Sequence, residues 1–166
     1  ADTAAAGDTV RLTLPQEHNS MAPEALPVSV LWEDDALLIL NKPPQMPVHP
    51  CPGHDRGTVC NFVSYYQKRK GEDWRFRPLN RLDKDTSGIV LVAKNQHAAS
   101  QLNGAAEKAY FAVVCGRMEE DQGTVEAPIR RINEVYTKRM VSPDGQYAKT
   151  DWEVLSRGEG YSLLRL

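Results

Sequence analysis

With 166 residues and 41% hydrophobic side chains, the chain is long enough to bury one substantial core but too short for several large domains. Its net charge of -2 gives no global sign of a nucleic-acid partner, and its three cysteines, an odd number, do not suggest a disulfide framework. The cysteine count favours a reducing, cytoplasmic location. Because no stretch approaches the roughly 20 apolar residues of a membrane helix, we expect no membrane partner.

The charges are unevenly distributed along the chain. Residues 1–38 contain one basic residue against seven acidic ones, whereas residues 68–84 contain seven basic residues against three acidic ones. A second basic cluster comprises Arg130, Arg131, Lys138 and Arg139. Such patches suit a local contact with a polyanion, and ordinary solvated surface is the alternative interpretation.

The first half of the chain alternates between short strand patterns and polar connections. Residues 10–14 alternate as a strand does, and a linker follows to residue 27. Two strands, 28–32 and 36–41, are predicted to form a hairpin around an acidic turn. After a proline-rich loop, Thr58 is predicted to cap a helix that runs to about Lys70, with an apolar face of Val59, Phe62, Val63 and Tyr66.

The second half is richer in strand patterns. A strand at 89–93 precedes a helix that Asn95 caps and that is predicted to run to about Glu107. Further strands are predicted in "KAYFAVVCG", "GTVEAPI", "VYTKRM", "QYAKTDWEVLS" and "YSLLRL", with a turn at 142–145. This order predicts an α+β fold with a largely antiparallel or mixed β-sheet and inserted helices.

The segment "NRLDKDTSG" places one carboxylate among charged neighbours. Asp83 has Arg81, Lys84 and Asp85 close in sequence. Nearby cations keep a carboxylate ionised, and an ionised carboxylate on a turn is a usable nucleophile or general base. On composition alone the alternative is favoured, in which these polar side chains only close a tight turn.

The loop and helix at 49–60 contain residue types that bind zinc, namely His49, Cys51, His54 and Cys60. Their spacing does not match the usual paired ligand units, so we predict no metal site. We also find no glycine-rich phosphate loop, and we expect no cofactor.

The stretch "RPLNRLDKDTSGIVLVAKN" resembles the signature of the RluA-type RNA pseudouridine synthases. The upstream "VLWEDDALLILNKPPQMPVHP" resembles the opening hairpin of that family and its "NKP…HP" segment, and "EKAYFAVVCG" resembles its second motif. The similarity keeps its order over residues 28–166. Residues 8–15 resemble the last strand of a small RNA-binding module that often precedes this catalytic domain.

The resemblance implies a catalytic mechanism and a set of site residues. By position, Asp83 matches the family's nucleophile, and Tyr110 matches the base that removes a proton from the newly joined ring carbon. Arg81 resembles the arginine that takes the place of the flipped uridine in the base stack. Flipping the uridine out of the stack costs a few kcal/mol. Asn80 stands where the family usually has His, and with Thr86 and Lys108 it is expected to contact the substrate.

The resemblance also implies the domain organisation. Residues 1–27 are expected to be the end of the RNA-binding module and a linker, and residues 28–166 the N-terminal and central part of a catalytic domain of the pseudouridine synthase type. Because the family has a third motif after the strand "YSLLRL", we expect the domain to be incomplete at its C-terminus and inactive in isolation.

The implied partner is RNA, with ribosomal RNA favoured over transfer RNA and no DNA partner. Two other functions stay open from the sequence. One is a module that binds RNA without modifying it. The other is a Mg²⁺-dependent aspartyl-phosphate chemistry, which "DKDTSG" superficially resembles.

Overall fold

The computed structural model describes residues 3, 5–9, 17–51, 55–133 and 138–166, so the predicted strand at 10–14 lies outside the described residues. The chain divides into two compact units, Ala1–Ala106 and Glu107–Leu166. The sequence predicted one catalytic segment over 28–166, and the boundary between the units falls inside that segment.

The first unit is built on a four-stranded antiparallel sheet. Its strands are β1 (Ser29–Glu33), β2 (Leu37–Lys42), β3 (Arg77–Pro78) and β4 (Gly88–Ala93), in the order β1-β2-β4-β3. The predicted β1–β2 hairpin is confirmed to within about one residue. The Asp34 carboxylate closes its turn by accepting hydrogen bonds from the backbone N–H groups of Ala36 and Leu37, at 2.7 and 2.6 Å.

Helix α1 (Val59–Lys70) covers this sheet, as the sequence predicted. Thr58 caps it, since its hydroxyl accepts a hydrogen bond from the Asn61 N–H at 3.3 Å, and the left-handed Gly71 ends it. Val59, Phe62 and Val63 are buried in the core with strand residues of β2 and β4. The apolar face therefore lies where its helical spacing indicates.

The opposite side of α1 is also buried, which its polar sequence did not indicate. Residues 17–27, here called the strap, lie along this side of the helix. The Asn61 amide donates to the Ala22 carbonyl at 3.0 Å, and the Ser64 hydroxyl donates to the Met21 carbonyl at 2.7 Å. Asn61 and Ser64 are buried, so their hydrogen bonds replace water that the strap excludes. The predicted linker is thus part of the packed unit.

Helix α2 (Gln96–Leu102) is shorter than predicted. The Asn95 side chain caps it by accepting from the Ala98 N–H at 2.8 Å, as expected. It ends before Glu107 because Asn103 is extended and Gly104 has a φ of 77°, a left-handed conformation that stops the helix. The predicted end at about Glu107 was therefore wrong.

The second unit contains strands only, among its described residues. Four of them form an antiparallel sheet in the order β5-β10-β9-β6, and two form a separate hairpin. The strands are β5 (Phe111–Cys115), β6 (Gln122–Glu126), β7 (Ile129–Arg131), β8 (Arg139–Val141), β9 (Lys149–Arg157) and β10 (Tyr161–Arg165). The predicted turn at 142–145 is confirmed by a 2.9 Å hydrogen bond from the Gly145 N–H to the Ser142 carbonyl.

The predicted α+β class with a largely antiparallel sheet is confirmed. Of the predicted strand "VYTKRM", the structure describes only residues 138–140. Within them, β8 starts at Arg139. In the part of the chain that the structure describes, no helix is long and apolar enough to cross a membrane.

A charge cluster fastens the end of β1 to α1 and to the end of β4. The Glu33 carboxylate accepts hydrogen bonds from the Tyr66 hydroxyl at 2.7 Å, the Lys70 ammonium at 2.8 Å and the Lys94 ammonium at 2.9 Å. Desolvation raises the pKa of Glu33, but the hydrogen bonds from Lys70, Lys94 and Tyr66 outweigh it and lower the pKa from 4.5 to about 2. Glu33 therefore stays predominantly ionised in the folded protein at pH values where an ordinary glutamate becomes protonated.

We expect Glu33→Gln to destabilise the protein in a pH-dependent way. Because the folded pKa is lowered, the stabilisation is complete above pH 4.5 and is lost as the pH falls towards 2. The free energy of unfolding of the variant should be about 2 kcal/mol lower than that of the wild type at pH 7, allowing for partial solvent screening. This difference should nearly vanish near pH 2. Urea unfolding at several pH values measures it, with the exposed Glu119→Gln as control. A loss independent of pH would contradict the assignment.

Candidate active site

Asp83 begins a tight turn just before β4. The Thr86 N–H donates to the Asp83 carbonyl at 3.2 Å, and Gly88 follows with a φ of 131°, a conformation that favours glycine. The side chains of Asp83 and Asp85 are exposed, whereas Thr86 is half-buried. The turn that the sequence suggested therefore exists, and it presents the Asp83 carboxylate to solvent.

A buried lysine supports this turn from the sheet side. Lys42, the last residue of β2, is 0% exposed. Its ammonium donates to the carbonyls of Pro43 at 3.0 Å, Met46 at 2.8 Å and Lys84 at 3.0 Å. The Lys84 carbonyl also accepts from the Met46 N–H at 3.0 Å. The loop after β2 and the Asp83 turn are thus held together by the Lys42 ammonium and by the Met46 N–H, which share the Lys84 carbonyl.

Lys42 also affects the electrostatics of the site. Burial lowers the pKa of its ammonium, and the negative charges of Asp85 and Asp83 partly offset that effect. The interaction is mutual, so the ammonium adds positive potential beneath both carboxylates. The site therefore has a basic group that the sequence analysis missed.

A signal for Lys42 was present in the sequence. Leu38, Leu40 and Lys42 share one face of β2, because side chains alternate along a strand. Since Leu38 and Leu40 belong on the core side, the same alternation predicts that Lys42 is buried. A buried lysine needs acceptors, which should have directed attention to the loops next to it.

Asn80 connects the segment before Asp83 to β4. Its amide donates to the Ile89 carbonyl at 2.8 Å and accepts from the Leu91 N–H at 2.8 Å. The Leu79 N–H adds a bond to the Leu91 carbonyl at 2.7 Å. Asn80 is thus a positioning residue that uses both ends of its amide, and its predicted contact with substrate stays a prediction.

Arg81 lies just before the Asp83 turn. It is exposed, and it takes part in none of the salt bridges found among the described residues. The alternative role considered for it, an ion-pair partner of Asp83 or Asp85, is therefore not seen in this part of the chain. Its predicted contact with substrate stays a prediction.

Lys108 and Tyr110 lie in the second unit, just before β5. The backbone of Tyr110 exchanges two hydrogen bonds with Leu166, at 3.0 and 2.8 Å, and its side chain is 38% exposed. The predicted role of Tyr110 as a base stays a prediction. Lys108 lines a cavity of about 260 Å³ together with Asp151, Glu153 and others.

The predicted absence of a metal site concerns His49, Cys51, His54 and Cys60, of which His54 lies outside the described residues. Within the described ranges no group of three or more His, Cys, Asp or Glu side chains could hold a metal ion. Cys60 is buried, and desolvation raises the pKa of its thiol to about 12, so the thiol is neutral.

Comparison with known proteins identifies the family. The family model described as RNA pseudouridylate synthase matches residues 36–166, which include the Asp83 turn, Lys42 and Tyr110. The chain belongs to the RNA pseudouridylate synthase family. The family resemblance drawn from the Asp83 segment is thereby confirmed.

Two relatives illustrate the match. The chain is 38% identical to an uncharacterized RNA pseudouridine synthase, YjbO, of Bacillus subtilis, with 96% of this chain and 59% of the relative covered. It is 36% identical to the ribosomal large subunit pseudouridine synthase D of Haemophilus ducreyi, with 91% and 48% covered. The chain thus spans about half the length of the curated relatives it matches.

Solved structures show the same fold. The human RNA pseudouridylate synthase domain containing 1 aligns with a TM-score of 0.65 at 21% identity, covering 87% of this chain and 61% of that one. The human RNA pseudouridylate synthase domain containing 4 aligns with a TM-score of 0.61 at 24% identity, covering 82% and 57%. The predicted pseudouridine synthase type of fold is confirmed.

Proposed function

We propose that the protein isomerises uridine to pseudouridine in structured RNA, with Asp83 as the nucleophile. The observation that carries this proposal is the exposed Asp83 carboxylate on a turn that buried Lys42 holds in place. Family membership supports it, because relatives that share most of this chain are named as pseudouridine synthases. An activity of this kind belongs to the isomerases.

The proposed reaction breaks the carbon–nitrogen glycosidic bond and makes a carbon–carbon bond to the same ring. It is neutral in redox terms and requires no ATP, so we propose no cofactor. Asp83 holds the detached intermediate, and its part in the first step is left open between attack on the glycosidic carbon of the sugar, attack on the uracil ring and assistance of elimination. Any bond formed to Asp83 breaks again before the product leaves. Tyr110 removes the proton from the newly joined ring carbon, which restores the aromatic uracil.

Access to a stacked uridine requires base flipping, which costs a few kcal/mol. Arg81 fills the vacated position, since its exposed guanidinium is planar and stacks on bases. Thr86 and Lys108 complete the proposed contacts with substrate, while Asn80 holds the segment that precedes Asp83.

We propose ribosomal RNA as the substrate, with transfer RNA as the second candidate, and hence a cytoplasmic location. Several relatives are named as ribosomal large subunit pseudouridine synthases. The test is to incubate the full-length protein, without added cofactor, with transcripts of large-subunit ribosomal RNA and of transfer RNAs. Pseudouridine is then measured by mass spectrometry.

The outcomes separate the functions under consideration. Conversion of a ribosomal uridine supports the proposal, and conversion of transfer RNA alone corrects the substrate. Tight RNA binding without any pseudouridine would overturn the activity in favour of an RNA-binding module. The phosphotransferase alternative is not favoured, because the family match covers the whole Asp83 segment.

Part of the RNA contact is proposed for the β7–β8 hairpin. Arg131 and Arg139 lie directly opposite each other on its two strands, and both are exposed. Like charges in this position repel each other unless an anion lies between them. Arg130 differs, because its guanidinium donates to the Ser142 hydroxyl at 3.0 Å.

The basic cluster at 68–81 is partly neutralised. Lys70 pairs with Glu33 and Glu72, and Arg75 and Arg77 both pair with Glu17. Lys68, Arg69 and Arg81 take part in none of the salt bridges found among the described residues, so they are the proposed RNA contacts of this cluster.

Neutralising the opposed pair, Arg131→Gln with Arg139→Gln, should weaken RNA binding and flatten its salt dependence. If each arginine neutralises one phosphate, the slope of log affinity against log salt falls by about 1.4 to 1.8 in magnitude. Fluorescence anisotropy at several salt concentrations measures it. The control, Lys149→Gln with Arg165→Gln, removes two cations already paired with Asp151 and Glu153. Equal slopes for the two variants would place the RNA elsewhere.

A further inference from the structure

A cavity of about 350 Å³ lies between the strap and the core of the first unit. The strap forms one wall through residues 18–21, and Arg75 and Phe76 form a second. His49 and Pro50 form a third, with Cys60 behind them. This volume lies within the range of about 300–1,000 Å³ that is usual for small-ligand sites. We call it the strap pocket.

The walls of the strap pocket are held firmly. The Met21 carbonyl accepts from the Ser64 hydroxyl at 2.7 Å, and the Asn19 amide donates to the Gln67 side chain at 3.0 Å. On the other side, the rings of His49 and Phe76 pack edge to face with centroids 5.2 Å apart. The pocket is therefore preformed, which reduces the entropic cost of binding.

The chemistry of the strap pocket suits a flat, neutral ring. Burial and then the charge of Arg81 lower the pKa of His49, so its imidazole is neutral at pH 7 and offers one donor and one acceptor. Neither ring nitrogen of His49 has a hydrogen-bond partner among the described residues. The cation Arg75 is paired with Glu17, and the Cys60 thiol is neutral, so an anion would find little net attraction.

The strap pocket is also close to the candidate active site. The loop that carries His49 contacts the Asp83 turn, because the N–H of Met46, three residues before His49, donates to the Lys84 carbonyl at 3.0 Å. A nucleotide that neighbours a uridine bound at Asp83 is therefore a candidate occupant of the pocket. Sequence-specific recognition of RNA acts mainly on unstacked bases that pack on aromatic rings or Arg planes and bond through their edges.

We propose that the strap pocket binds one unstacked RNA base that neighbours the target uridine, and so contributes to the choice of substrate. The proposal rests on the proposed function. Phe76 and His49 supply the aromatic contact, and the imidazole nitrogens of His49 supply the hydrogen bonds to the base edge. The strap is thereby a part of the RNA-binding surface as well as a structural segment.

The experiment is a mutant cycle between protein and RNA. The full-length protein and its His49→Ala variant are assayed on stem-loop RNAs in which each nucleotide flanking the target uridine is made abasic in turn. We expect His49→Ala to lower kcat/KM on intact RNA by about 5- to 100-fold, the range for loss of one stacked base. For the abasic RNA at one flanking position, the wild type and His49→Ala should have the same lowered kcat/KM.

A second pair of variants separates pocket occupancy from folding. Ser20 is exposed at the pocket wall, so Ser20→Trp fills the pocket without disturbing the core. It should reproduce the effect of His49→Ala at the same RNA position. Ala25→Trp is the matched control, because Ala25 is an exposed strap residue that does not line the pocket. It should behave as the wild type does.

Two results would overturn the proposal. One is that His49→Ala and Ser20→Trp lower turnover by the same factor on every abasic RNA. The other is that neither variant changes turnover on intact RNA. The Kd of each protein for each intact and abasic RNA is also measured by fluorescence anisotropy. Absence of pseudouridine with the wild-type protein would therefore reject the proposed function, while the Kd cycle would still decide on the pocket.

Discussion

Replacing Asp83 by Asn in the full-length protein should reduce pseudouridine formation by about 10³-fold or more, as expected for the loss of a nucleophile. The amide keeps the shape of the side chain but cannot form the proposed bond. The turn itself should persist, because the hydrogen bond from Thr86 goes to the backbone carbonyl of Asp83. Since Asp83 is exposed, the free energy of unfolding should change by only about 0.5 kcal/mol.

Asp85→Asn is the matched control for this variant. Asp85 lies on the same turn, is also exposed and also acts on the pKa of Lys42, so the change in charge is the same. Single-turnover assays and RNA binding are measured for both variants. The nucleophile assignment requires a large loss of rate for Asp83→Asn alone, with RNA binding retained. Equal losses of rate for the two variants would show that Asp83 acts only as one of two negative charges in the turn.

Replacing Lys42 by Met should have the second largest effect. Methionine fits the buried space but donates no hydrogen bonds, so the carbonyls of Pro43, Met46 and Lys84 lose their shared donor. The Lys84 carbonyl keeps its bond from the Met46 N–H, but the Pro43 and Met46 carbonyls are left unpaired, which should cost about 2 kcal/mol of stability. Because the Lys84 carbonyl lies inside the Asp83 turn, we also expect kcat to fall by about 10²-fold through misplacement of the carboxylate.

Lys84→Met provides the matched control for Lys42→Met. The Lys84 side chain is exposed, and only its backbone carbonyl receives the Lys42 ammonium. The control therefore removes a positive charge next to Asp83 while it keeps the support of the turn. Urea unfolding, the RNA Kd and kcat are compared. A fall in kcat with an unchanged Kd supports positioning, whereas equal kcat values for the two variants would contradict it.

The sequence predicted local structure well where neighbouring residues decide it. The β1–β2 hairpin, the cap at Thr58 and the turn at 142–145 all depend on groups within about four residues of each other. The end of α2 was missed although its cause is equally local. Asn103 and Gly104 are a typical helix stop, and the segment from there to Glu107 was wrongly added to the helix.

The sequence identified only some residues of the candidate site. Asp83, Arg81 and Tyr110 were found through the family resemblance, which preserves order along the chain. The role of Asn80 was not found, since its amide bonds to β4 residues nine and eleven positions further on. Lys42 was missed for the same reason, although its place in the alternation of β2 predicted burial.

By itself, the sequence determined the strand and helix pattern, the α+β class and the position of the Asp83 turn. Those features follow from backbone preferences and side-chain periodicity over short stretches. The tertiary structure alone decided that the Lys42 ammonium reaches a carbonyl 42 residues away, and that buried Asn61 and Ser64 hold the strap. Polar groups that are buried must find partners, and which groups are near enough is fixed only when distant segments pack together.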